Sequence, residues 1–158
     1  MSCDAVAAAA FLWFASTSPT PAAPRLTLAV AAAPPSVAGE PLFADIVRRA
    51  AALKAQTEAF RKDDLSGAVT ALPDYAGFKA RIGQLADADM QGHLTLKARG
   101  ATDDLKCILR GISQDLPVRL QELEAAATPK AREDALKEMT YLLRDNVEVI
   151  TAPPQPAA

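Results

Sequence analysis

Leu105–Leu123 reads LKCILRGISQDLPVRLQEL, and its apolar residues Leu105, Ile108, Leu109, Ile112, Leu116, Leu120 and Leu123 recur three or four positions apart. That spacing follows the turn of an α-helix and sets one continuous apolar stripe along it, the strongest in the chain. Thr102-Asp103-Asp104 just ahead supplies a capping residue and acidic groups for the positive end of the helix. Pro117 falls inside the stripe. A proline lacks the backbone N–H and its ring crowds the carbonyl one turn back, so a kink or break is expected near Asp115-Leu116.

The same spacing recurs on both sides. Downstream, Thr128-Pro129 pairs an N-cap residue with proline at the first helical position, and Leu136, Met139, Leu143, Asn146 or Val147, and Ile150 follow. Upstream, Phe43, Ile46, Ala50, Leu53, Thr57 and Phe60 form an apolar line interleaved with Asp45, Arg48, Arg49, Lys54, Gln56 and Glu58. After the breaker pair Ser66-Gly67, with room for a short helical turn over Ala68 to Leu72, Pro73 and Asp74 open another helix through Tyr75, Phe78, Ile82 and Leu85. Asp74 or its neighbour is expected to serve the free N–H groups there. The pattern blurs after Met90, and Gly100 marks the stop.

No segment alternates with period two between hairpin turns, and Val147–Ile150 (VEVI) reads as a helix end. The expected fold is therefore all-α, an antiparallel bundle of four helices joined by short connections. Stripes acting as seams of a dimer are the rival, but glycine and proline interruptions argue against one long coiled coil.

The N-terminal quarter is different in kind. Among residues 1–40 only Asp4, Arg25 and Glu40 are charged, whereas the remainder is densely charged. Two short apolar runs, Ala5–Ala15 and Leu26–Ala33, are separated by prolines, and each is too short to span a bilayer. Arg25, the second run, Pro34-Pro35 and the small-x-small triplet Ser36-Val37-Ala38 lay out a secretory signal cleaved after Ala38, although Met1–Asp4 carries no positive charge. The expected division is residues 1–38 as signal peptide or Ala/Pro-rich leader, 39–150 as helical bundle and 151–158 as a disordered Pro-rich tail. A periplasmic or secreted location follows, with a cytoplasmic protein carrying a disordered leader as the alternative. Removal of the leader would take Cys3 and leave Cys107 without an intramolecular partner.

Net charge is −2, and Arg48-Arg49, Lys54 and Arg61-Lys62 are interleaved with acids, so no phosphate-tracking stripe exists and a nucleic-acid partner is not expected. His93 is the sole histidine. Asp89 and Met90 lie on its helical face, and Cys107 would complete a donor set for a soft or borderline metal. In length and helix count the chain resembles the soluble b-type cytochrome bundles, and that resemblance implies haem held by His93 with Met90 or Met139. Covalent c-type attachment is excluded, because Cys-x-x-Cys-His is absent. A His93/Cys107 nucleophile pair would have to meet across helices, and Cys107 flanks its stripe. The carboxylates Asp63-Asp64, Asp87/Asp89 and Asp103-Asp104 sit near expected helix ends, where capping and solvation account for them. Phosphate loops and GxSxG elbows are missing. The expected function is non-enzymatic: binding of a partner protein or small ligand, or self-association, with haem or metal binding at His93 as the alternative.

Overall fold

The computed structural model describes residues 36–101 and 104–152. Within them the chain forms α1 (Pro41–Phe60), α2 (Tyr75–Ala98), α3 (Leu105–Ala125) and α4 (Pro129–Thr151), with a 3-10 turn at Val69–Ala71 and no strand. The leader up to residue 35, Thr102-Asp103 and the tail from residue 153 lie outside the described residues, and the expected signal segment, Thr102 cap and disordered tail fall largely there. Val37 and Ala38, next to the expected cleavage point, are partly buried against the bundle.

The stripes are the buried faces. On α1 the residues shielded from water are Phe43, Ile46, Ala50, Leu53, Thr57 and Phe60, the very line read from the sequence. Leu109 is 0 % exposed, at the centre of the α3 stripe. Each leucine, isoleucine or phenylalanine among them contributes about 1.5–3 kcal/mol when it leaves water, so the stripes supply the main drive for association of the helices. Phe60 and Phe78 meet edge to face with ring centroids 5.1 Å apart, joining α1 to α2. Thr57 and Thr140 are also buried; each hydroxyl donates to the carbonyl one turn back, Leu53 and Leu136 respectively, at 2.8 Å.

Polar contacts between helix ends show that neighbours run antiparallel. Glu40 before α1 pairs with Arg99 after α2 at 2.7 Å, Lys79 early in α2 with Glu124 late in α3 at 2.7 Å, and Arg61 after α1 with Glu133 early in α4 at 2.7 Å. Each helix packs on its neighbours in the order α1-α2-α3-α4 and back to α1, which leaves α2 and α4 as a diagonal pair across the core. No helix of the described residues is long and apolar enough to cross a membrane.

Local chemistry explains most boundaries. Thr128 caps α4, its hydroxyl accepting the Ala131 N–H at 3.1 Å. Gly100, at φ 67°, ends α2 in the left-handed conformation, and the Gly100 and Ala101 N–H groups close back on Lys97 and Leu96 at 3.1 Å. At the start of α2 the expectation is corrected: Asp74 makes no side-chain cap. It sits at φ 52°, and its carboxylate instead takes Arg81 at 2.8 Å. A Cβ on Gly77 would run into that carboxylate, which would have to swing aside to admit it.

Of the expected kink or break at Asp115-Leu116, a break does not occur: α3 is one continuous helix through Pro117. Pro117 faces solvent, while Leu116 and Leu120 on either side are buried. A proline inside a helix costs about 3 kcal/mol. Burial of Ile112, Leu116, Leu120 and Leu123, at about 1.5–3 kcal/mol each, outweighs that cost and holds the second half of α3 in register.

Candidate functional site

Two features stand apart from an ordinary helical bundle: a polar pair in the core and an acid-rimmed groove on its surface.

The polar pair comes from extending the apolar spacing further than the residue types invite. Ile82, Leu85 and then Asp89, His93 and Leu96 continue one face of α2, and all are buried. Asp89 is 0 % exposed, and so is Asn146 on α4. The Asn146 amide donates to Asp89 Oδ2 at 2.8 Å, so the pair ties the diagonal helices α2 and α4 together. Burial drives the Asp89 carboxyl up from its ordinary value to about 7, against the opposing pull of the Asn146 amide. Gly92 makes the space for this layer: a Cβ there would stand 3.1 Å from Leu109, 3.3 Å from Phe43 and 3.4 Å from Ile46.

One sequence expectation is corrected here. Asp89 neither caps a helix nor faces solvent, because it lies within α2 on its buried face. His93 lies on the same buried face. It is buried, and its Nδ1 stands 2.5 Å from the Lys106 carbonyl oxygen on α3. A carbonyl can only accept, so Nδ1 carries the proton and donates.

Of the proposed donors, Asp89 Oδ2 accepts from the Asn146 amide and His93 Nδ1 donates to the Lys106 carbonyl. Cys107 is half-buried on the flank of α3 and is not a free thiol. Met90 is half-buried, and Met139 is fully buried within the apolar core, where a thioether packs well. Among the described residues no three His, Cys, Asp or Glu side chains converge as a metal ion requires.

The groove lies between the outer edges of α3 and α4, is open to solvent, and offers about 380 Å³. Its floor is apolar, from Ile108 and Ile112 on α3 and Leu142 and Val149 on α4. Asp115, Asp145 and Glu148 stand on its rim. Arg144 offsets part of this charge, reaching Asp145 at 2.9 Å and Glu148 at 3.6 Å. Gly111 lines the groove as well, and a Cβ added to it would meet open space. Val118, 43 % exposed, extends the same face of α3 two turns beyond Gly111.

None of the rim residues was singled out from the sequence, because acids flanking a stripe look like ordinary solvated positions until two helices bring them together. The signal for Asp89 and Asn146 was present: both sit in step with the stripes of their helices. Comparison with protein-family models, characterised proteins and solved structures finds no match to this chain.

Proposed function

We propose that the protein is an exported, non-enzymatic helical-bundle binding module whose α3–α4 groove receives a basic amphipathic helix of a partner protein. The observation that carries this reading is the pairing of an apolar floor with a rim of Asp115, Asp145 and Glu148. A volume of about 380 Å³ suits the anchoring side chains of a partner better than a surface contact does. From Ile108 to Val118 the α3 edge runs about 15 Å, enough for anchors at i, i+3 or i+4 and i+7 on the incoming helix. Acidic groups around the floor favour lysine or arginine on the flanks of that helix and speed its encounter. The sparsely charged, proline-punctuated leader supports export, and the intact mass of protein from its native host tests it, with loss of residues 1–38 expected.

A fluorescent amphipathic peptide of leucine and lysine, about 14 residues long, tests the docking reading, with a leucine/glutamate peptide of the same pattern as control. The basic peptide is expected to bind with micromolar affinity that weakens with salt. The double change Asp115→Asn with Asp145→Asn, and separately Gly111→Leu, should each weaken it at least tenfold. Equal binding of the acidic peptide, or full binding by both variants, would overturn the proposal.

A further inference from the structure

The buried pair at the centre of the bundle has more oxygen than its hydrogen bonds use. Asn146 Nδ2 donates to Asp89 Oδ2, yet Asp89 Oδ1 and Asn146 Oδ1 are both buried with no donor among the described residues. Two buried acceptors without a donor are costly, and a carboxylate charge without a cation beside it costs more still. Both deficits have one remedy. A single proton on Asp89 Oδ1 removes the charge and provides a donor for Asn146 Oδ1.

We propose that Asp89 is protonated in the folded protein and closes a two-hydrogen-bond ring with the Asn146 carboxamide, Nδ2–H to Oδ2 and Oδ1–H to Oδ1, locking α2 to α4 across the core. The proton comes from solvent on folding and returns there on ionisation, which breaks one of the two bonds and leaves a charge in the core. Below neutrality the lock is closed; above it the core loosens.

Among the described residues, the helix faces around the carboxylate offer it no counter-charge. The buried face of α1 presents Phe43, Ile46, Ala50, Leu53, Thr57 and Phe60, none of which titrates. On α4 the buried neighbours in sequence, Leu143 and Ile150, are apolar, and Asn146 is neutral. On α3 the buried face holds one cation, Lys106, whose ammonium goes to the Ala101 carbonyl. On α2 itself His93 lies one turn on, held to the Lys106 carbonyl. Desolvation is the leading cause of the raised Asp89 value, with only the Asn146 amide acting against it.

The test is the full chain with and without Asp89→Asn, melted from pH 5.5 to pH 8.5. A carboxamide at position 89 can make the same ring at every pH. The wild type is therefore expected to lose melting temperature relative to Asp89→Asn as pH rises through 7. Parallel pH profiles for the two proteins would overturn the proposal. Should the variant not fold, the carbon-13 shift of the Asp89 carboxyl in the wild-type protein decides: a neutral carboxyl at pH 5.5 that ionises near pH 7 is the expected result, and a carboxylate already ionised at pH 5.5 contradicts it.

Discussion

Leu109 and the glycines of α2 show how much one side chain decides. Leu109 is wholly enclosed, so Leu109→Ala should cost about 2–5 kcal/mol in a chemical-denaturation experiment. Gly83 and Gly92 share a helix but not an environment: a Cβ on Gly83 meets nothing within 4 Å, whereas one on Gly92 presses on Leu109, Phe43 and Ile46. Gly83→Ala is expected to raise stability by about 1 kcal/mol, because alanine is the better helix former. Gly92→Ala should trail it by about 1–3 kcal/mol through overpacking, as read from urea midpoints of the two variants. Which residues face inward was legible wherever they are apolar. Asp89 was misread because residue type suggested solvent while position in the stripe placed it in the core, and position prevails when neighbouring helices close over the site.

At the scale of the element, α3 is the informative case. Its apolar spacing was plain from sequence, and its continuity through Pro117 was not, because local geometry argued for an interruption. Packing on both sides of the proline settles the conflict: α3 bears on α2 and on α4, and neither half can turn away without exposing leucines. Pro117→Ala should accordingly stabilise the protein by as much as about 3 kcal/mol, measured as a rise in melting temperature with the helical content unchanged. The start of α4 was legible for the converse reason, since a capping threonine and a first-turn proline act within their own segment. The groove was not legible, as it exists only where two such elements lie side by side.

For the whole molecule, the antiparallel order could be anticipated from four amphipathic segments and short connections, and the end-to-end ion pairs fit it. Those pairs are partly exposed and weigh little; the apolar core carries the stability. The pH response of the molecule comes from opposing groups. Glu124 is held below its usual range first by its hydrogen bond with Lys79, so its contribution is present above the ordinary glutamate value and fades as pH falls. Asp89 works the other way. Its value is raised from 3.8 to about 7 in the folded chain, so its contribution is complete below about pH 4 and lost as pH rises through 7. The swing between those limits is at most about 4 kcal/mol, which should place maximum stability on the acidic side of neutrality in a series of thermal melts.

Binding at the α3–α4 groove is tested most directly by mapping amide chemical shifts while the leucine/lysine peptide is added to the isotope-labelled protein. The expected map is confined to one face, with the largest changes at Gly111, Asp115, Leu142 and Val149 and none on the exposed side of α1. Changes centred on the α1–α2 face, or no changes at peptide concentrations well above micromolar, would contradict the assignment of this groove as the docking surface.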